Sequence, residues 1–394
     1  MSHKRIAVII GIALLIKLFL FVFLITQAPE SRFQNDSRDY LETAQALSSR
    51  MAFARIDNRG TLNYEFYRTP GYPAFLAILQ GPLRFPLNAV ILVQVLLTLL
   101  AGWIVYRAAC LIDRRIAFLS AAIVIYDPPV SIYSLQVLAE TLFFVLIAVF
   151  MFSFIKYLRD RRGWQAALSA LALAAATYVR PTSYYLGIAA ALFIIYANLR
   201  QITLKRGWQG ALKKTGAGIA HALIFLLVVY SLLGLWQERN YKRCGIKSFC
   251  NVAMDGYRYF GLYKSYSRNK DKEAKGMPPA LYYANVTARS FLSLMTRPGP
   301  FKYFKSRIVS AAGNAFAYPW MVFWVIGFIS GIAACRGNIY YQFLLFLAAY
   351  FIAASVGGVS LLVSERFRVP MVPFIAIISS YGWLNLINRA GKKE

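Results

Sequence analysis

Two short polar stretches carry much of the chemistry in an otherwise apolar chain. Asn35-Asp36-Ser37-Arg38-Asp39-Tyr40 offers two carboxylates, and Tyr67-Arg68-Thr69-Pro70-Gly71-Tyr72-Pro73 sets an arginine among tyrosines. Further on stand Glu140 at the head of an apolar run, Arg180 before Pro181, and the run Ser364-Glu365-Arg366-Phe367-Arg368. A carboxylate can orient a hydroxyl or take its proton. Arginines can grip a phosphate bidentately and hold negative charge as it leaves. Gathered in one place, Asp36, Asp39, Arg68, Glu140, Arg180, Glu365, Arg366 and Arg368 would suit transfer of a group from a phosphate to an oxygen nucleophile.

Each residue also has a plain reading. Asp36 can cap a helix, with Ser37 beside it. Glu140 can be a helix-start acid favoured by the dipole, and Arg180 a cation snorkelling from a helix end. Tyr64, Tyr67 and Tyr72 fit an aromatic belt at a membrane surface. Asp127-Pro128-Pro129 reads as a helix break rather than a site.

The elements that must position these groups are membrane helices. Of the 394 residues, 59% are hydrophobic, and mean hydropathy is +0.51. A soluble domain runs nearer 45–50% apolar. Backbone groups in lipid need partners within their own segment, which leaves helices or a closed barrel, and long unbroken apolar runs exclude the alternating strands of a barrel. The reading is an all-α polytopic membrane protein with about ten spans. They cover residues 6–26, 87–111, 116–132, 141–155, 166–178, 186–197, 217–236, 315–334, 340–363 and 369–387. Residues 1–236 form a membrane module whose first outer loop, 28–70, carries the candidate site. Residues 237–307 form a second, basic outer loop, and 308–394 add the last helices of a single integral membrane domain. Leu41 to Ser49 and Ala74 to Leu83 read as short helices at the interface.

The net charge of +28 would ordinarily point to nucleic acid. Here the positive-inside bias and anionic lipid heads account for most of it, so anionic lipids are expected partners and nucleic acid is not. Basic ends put both termini in the cytoplasm and the polar loops on the outer face. Cys244 and Cys250 share the second loop and are candidates for a disulfide on an oxidising side. Two histidines and four cysteines without a cluster speak against zinc.

Four stretches carry a family resemblance. They are Asp36-Ser37 with Tyr40 and Ala44, Arg68-Thr69-Pro70-Gly71-Tyr72-Pro73, Leu138-Ala139-Glu140-Thr141-Leu142-Phe143, and Arg180-Pro181-Thr182. Glu365-Arg366-Phe367-Arg368-Val369-Pro370 is a weaker echo near the end. In this order the chain resembles the GT-C-type membrane glycosyltransferases. It is most similar to bacterial relatives of the protein O-mannosyltransferases and of the lipid A aminoarabinose transferase. The resemblance implies a GT-C-like fold with interfacial helices in the first outer loop. It implies an inverting hexosyl- or pentosyltransferase of the bacterial cytoplasmic (inner) membrane, acting at the periplasmic face. The sugar would move from a polyprenyl-phosphate donor to a glycolipid, glycan or protein acceptor. Asp36 matches the essential first-loop acid. Glu140 matches a second acidic position that in some members helps bind a metal or the donor phosphate. Arg180 stands where members place a cation near that phosphate, with Arg68 beside it. Asp39, Tyr40, Tyr72, Glu365, Arg366 and Arg368 take supporting places. No cofactor is certain; a divalent metal, Mg2+ or Mn2+, at Glu140 is the one the resemblance admits. The alternatives are a transporter or flippase of lipid-linked glycan and an O-antigen-type polymerase or ligase. The first would place its charges near the bilayer midplane and show broken repeats. The second would lean on the basic loop 237–307.

Overall fold

A computed structural model describes residues 3–57, 59–202, 208–252, 266–267, 277–299, 307–335, 337–359 and 363–391. The first helix, α1 (His3–Gln27), is apolar throughout and leads into the first loop. That loop folds as α2 (Ser37–Arg50), a hairpin of β1 (Ala54–Ile56) and β2 (Leu62–Tyr64), and α3 (Gly71–Gln80). The strands are antiparallel, with Arg55 opposite Asn63. The hairpin was not foreseen from sequence. Its signal is the turn at Asp57 and Gly60, where the Asp57 carboxylate accepts the Arg59 and Thr61 amides and Gly60 takes a φ of +79°.

The bundle follows: α4 (Leu87–Ile112), α5 (Ala117–Ile125), α6 (Pro128–Tyr133), α7 (Glu140–Asp160), α8 (Gly163–Val179), α9 (Leu186–Ile202) and α10 (Trp208–Cys244). After it come α11 (Pro279–Thr296), α12 (Arg307–Ala334), α13 (Ile339–Val359) and α14 (Val372–Ala390). Eight helical segments among the described residues are long and apolar enough to cross a membrane. Gly163–Val179 is apolar but shorter. The span expected at 116–132 is divided into α5 and α6 at Asp127, whose carboxylate caps α6 by accepting the Val130 amide at 3.0 Å. With α8 and this broken pair, each of the ten expected spans has a helical counterpart.

The helix break has a buried prop. Lys17 of α1 is 2% exposed and donates to the Ser131 hydroxyl at 2.8 Å. This anchors α6 to α1 by a hydrogen bond that an apolar bundle cannot otherwise supply. Aromatic rings fill the middle of the core. Phe154 stacks on Phe343 at 4.2 Å and meets Phe150, Phe193 and Phe225 edge-on.

Two late helices approach closely because small residues face each other. A Cβ at Gly382 of α14 would fall on the Gly327 carbonyl and the Gly331 amide of α12. The Ser379 hydroxyl donates to Trp324 O at 2.9 Å, and the Trp383 indole donates to Phe323 O at 3.0 Å. Small residues let backbones meet in a medium that offers no hydrophobic drive between helices. Gly382→Ala is therefore expected to lower stability by about 1–3 kcal/mol through overpacking. Gly234→Ala, with open space around it, should leave the melting temperature unchanged or raise it. Thermal unfolding of the two variants in detergent makes the comparison.

Candidate active site

The helix ends and the β1–β2 hairpin at one side of the bundle carry a chain of alternating charges. Glu65 pairs with Arg55, Arg55 with Asp39, Asp39 with Arg68 and Arg68 with Asp36. Asp36 pairs in turn with Arg366, Arg366 with Glu140, and Glu140 with Arg180. The Arg68 Nη2 lies 2.7 Å from Asp36 Oδ1 and 3.0 Å from Asp39 Oδ2. Arg366 spans both acids of interest, with Nη2 2.7 Å from Asp36 Oδ2 and Nε on Glu140 Oε1. Arg180 Nη1 donates to that same Glu140 oxygen. The other oxygen, Oε2, is buried and accepts no hydrogen bond among the described residues.

Local structure explains how these groups meet. Asp36 sits at the N-cap position of α2, yet its side chain makes no capping bond. It turns to the two arginines instead. Asp39 follows one turn later on the same helix face. Glu140 is the first residue of α7, fully buried, where the helix dipole and the arginines favour its charge. Arg180 lies just past the last residue of α8 in an extended conformation (φ −144°, ψ 129°). Arg366 comes from a 3-10 segment, Glu365–Met371, that precedes α14. Tyr40 and Tyr72 are buried against one another, ring centroids 4.9 Å apart, and Arg68 lies over Tyr40 at 5.5 Å. Tyr72 is thus no belt residue, and its hydroxyl donates to Gln94 Oε1 at 2.8 Å.

Two expected members bond elsewhere. Glu365 is buried and accepts from the Tyr133 hydroxyl at 3.3 Å. Arg368 donates to Leu294 O, Met295 O and Arg297 O, capping the C-terminal end of α11. Among the described residues neither makes a hydrogen bond or ion pair with Asp36 or Glu140. In this tight 3-10 segment neighbouring side chains point in different directions, so Arg366 reaches the acids while Glu365 and Arg368 fasten the segment. No disulfide joins Cys244 to Cys250. In the basic second loop, Arg258, Lys264, Arg268, Lys270, Lys272 and Lys275 lie outside the described residues.

Sequence reasoning passed over Gln94, Ser37 and Thr69 as parts of this site. Gln94 is a fully buried amide inside a 26-residue apolar helix, and that was its available signal. It holds the carbonyls of Ser134 and Gln136 at 3.2 and 2.8 Å, just ahead of Glu140. Ser37 donates to Val137 O at 2.8 Å, and the Val137 amide donates to Arg32 O at 2.9 Å.

Electrostatics follow from the pairing. Burial pushes the Asp36 carboxyl up, but Arg366 and then Arg68 outweigh it, leaving its pKa lowered to about 2. Burial raises the Tyr40 phenol, with Asp36 adding to the effect. The residues do not fit a resident divalent cation. The Arg366 guanidinium stands between Asp36 and Glu140, and among the described residues no three His, Cys, Asp or Glu side chains group as ligands. Arg180 and Arg366 also line a cleft of about 10 Å³ with Phe143, Thr182, Phe351, Ser355, Phe367 and Pro370, room for about one water. A larger open groove of about 680 Å³ runs between α9 and α10 and is lined by apolar side chains and Tyr230, without the charged residues.

Known proteins bear on this arrangement. A family model for dolichyl-phosphate-mannose-protein mannosyltransferase matches residues 68–236. The fold resembles the archaeal oligosaccharyltransferase AglB of Archaeoglobus fulgidus, solved with an inhibitory peptide and a dolichol-phosphate. The TM-score is 0.55 at 13% identity, over 98% of this chain and 51% of that one. The apo form of the Archaeoglobus fulgidus oligosaccharyltransferase gives 0.54 at 12% identity, over 98% and 51%. Its complex with Zn and sulfate gives 0.54 at 14%, over 96% and 49%. The chain therefore has a GT-C-like fold. The chain spans about half the length of the solved GT-C structures it matches. A search of curated proteins finds no significant match.

The sign of the Asp36 effect gives a stability prediction. A carboxyl whose folded pKa is lowered contributes stability that is complete above its unfolded value of 3.8 and is lost as pH falls through about 2. A shift of this size corresponds to about 2 kcal/mol. Wild-type protein should therefore lose thermal stability steeply between pH 4 and pH 2, roughly the window the pKa values bound. Asp36→Asn should flatten that part of the profile in a parallel pH series of melts.

Proposed function

We propose that this protein moves a sugar from a polyprenyl-phosphate donor to an oxygen nucleophile on a glycolipid, glycan or protein, with inversion, at the outer face of a bacterial cytoplasmic membrane. The observation that carries this reading is the Arg366 guanidinium spanning Asp36 and Glu140, with Arg68 and Arg180 at its two sides. Several cations at the mouth of an apolar bundle suit a phosphate attached to a lipid. The outer face is supported by charge. Arg114, Arg115, Lys156, Arg159, Arg162 and Arg389 fall at the helix ends opposite the cluster, as the positive-inside bias asks of a cytoplasmic side.

In the proposed reaction the donor phosphate takes up hydrogen bonds from Arg180 and Arg366. The acceptor oxygen attacks the anomeric carbon while the bond from that carbon to the phosphate oxygen breaks. The electron pair leaves with the phosphate, where the arginines hold the charge. With both arginines on Asp36, its pKa of about 2 makes it a weak base. Once the phosphate shares Arg366, the charge holding Asp36 down falls. Asp36 can then orient the acceptor hydroxyl and take its proton. If the acceptor is already an anion, Asp36 orients only. Glu140 keeps Arg180 and Arg366 in place, and Asp39 does the same for Arg68.

The transporter reading has less behind it. The charges gather at one end of the bundle rather than along a midplane path. Mass spectrometry of lipid-linked and surface glycans, with the gene present and deleted, tests the choice. Transfer predicts one class of glycan losing a single sugar while the polyprenyl-phosphate sugar accumulates. Unchanged glycans would sink the proposal. Asp36→Asn should reproduce the deletion with the protein present at normal levels, its rate down by about a hundredfold or more. Arg366→Lys should also fail, because a point-charge ammonium cannot span two carboxylates as a planar fork does.

A further inference from the structure

We propose that Thr69 is a positioning residue for Arg180, so that its hydroxyl sets where the phosphate-gripping guanidinium stands. This deepens the donor reading and rests on it. Thr69 is 4% exposed, and its hydroxyl donates to the Val179 carbonyl at 2.7 Å. Val179 is the last residue of α8, and Arg180 is the next. Carbonyls in the last turn of a helix have no partner within it. The Thr69 hydroxyl supplies one at the point where the chain leaves α8 and the arginine begins.

The surrounding contacts are as specific. Gly71 passes so close to α8 that a Cβ there would lie 2.8 Å from the carbonyl carbon and oxygen of Tyr178 and from Val179 Cγ2. Arg68, bonded to Thr69 through one peptide link, holds Asp36 and Asp39. Tyr72 reaches Gln94. The Arg68–Tyr72 stretch thus docks on the α2 acids, the α8 end and α4 at once. On the other flank of Arg180, the Tyr350 hydroxyl donates to Thr182 O at 2.8 Å, and the Thr177 and Ser183 hydroxyls share a bond of 2.9 Å. Arg180 therefore leaves a backbone pinned on both sides. A long side chain amplifies any backbone shift at its root, so loss of one pin moves the guanidinium more than it moves the helix. Valine would fill the space of Thr69 and leave the Val179 carbonyl without its donor.

The experiment uses the full chain in nanodiscs, with undecaprenyl phosphate as the probe and its affinity read by native mass spectrometry. Thr69→Val should weaken binding by about tenfold, and Thr69→Ser should restore it. If Thr69 acts through Arg180, the double variant Thr69→Val/Arg180→Ala should bind no more weakly than Arg180→Ala alone. A purely structural bond would instead lower the melting temperature and leave affinity untouched. Wild-type affinity in Thr69→Val, or a loss that adds in full to that of Arg180→Ala, would overturn the proposal. Should Thr69→Val not fold, Tyr350→Phe loosens the opposite pin, and the same non-additivity with Arg180→Ala is expected; additivity there counts against it. Absence of any binding by the wild-type protein sinks the donor reading itself, a result distinct from a Thr69 variant that binds normally.

Discussion

A row of charges that must alternate governs this end of the molecule. Asp36 and Glu140 can stay ionised in a half-closed setting only because Arg366 and its neighbours stand between them. Burying such pairs brings little net stability, since desolvation offsets most of the attraction. Removing one partner, by contrast, strands a charge and costs about 3–5 kcal/mol. The network is therefore a poor way to hold a bundle together and a demanding one to keep. That balance fits a site that must remain poised for an incoming anion.

The alternation also dictates the architecture. Asp36 and Arg366 are separated by 330 positions in sequence, and Arg180 and Glu140 by 40. Asp36, Glu140, Arg180 and Arg366 are each rooted at or beside a helix end, where a polar side chain can reach sideways. The neighbouring residues then do the fastening. Ser37 beside Asp36 ties to Val137, near Glu140, and Thr69 beside Arg68 ties to Val179, beside Arg180. Side-chain hydroxyls thus take up backbone groups that the apolar surroundings leave without water.

Resting geometry and chemistry pull in different directions here. The arginines that keep Asp36 ionised also make it reluctant to take a proton. The cleft beside Arg180 and Arg366 has room for about one water as it stands. Both facts are coherent if the donor competes with the carboxylates for the same guanidinium groups. Catalytic pairings commonly tighten only when the substrate is present.

Much of the fold was legible because membrane helices announce themselves by local apolar runs, and this chain keeps its ten segments in order. The interfacial helices were legible too, from helical spacing and the Pro70-Gly71 turn. The acidic and basic residues of the site could be gathered onto one side by counting spans. Their pairing could not. Which arginine meets which acid depends on helix register and on the turn of the segment before α14, so Arg366 joins the cluster while Arg368, two residues on, caps α11 instead. Ser37, Thr69 and Gln94 were equally silent, because a hydroxyl or amide can bond to almost any carbonyl and sequence names no partner. By itself the sequence determined the spans and the stock of charges, all set by residues close along the chain. Only the tertiary structure decided the order of the charges and the bonds that hold them, because those contacts join residues far apart in the chain.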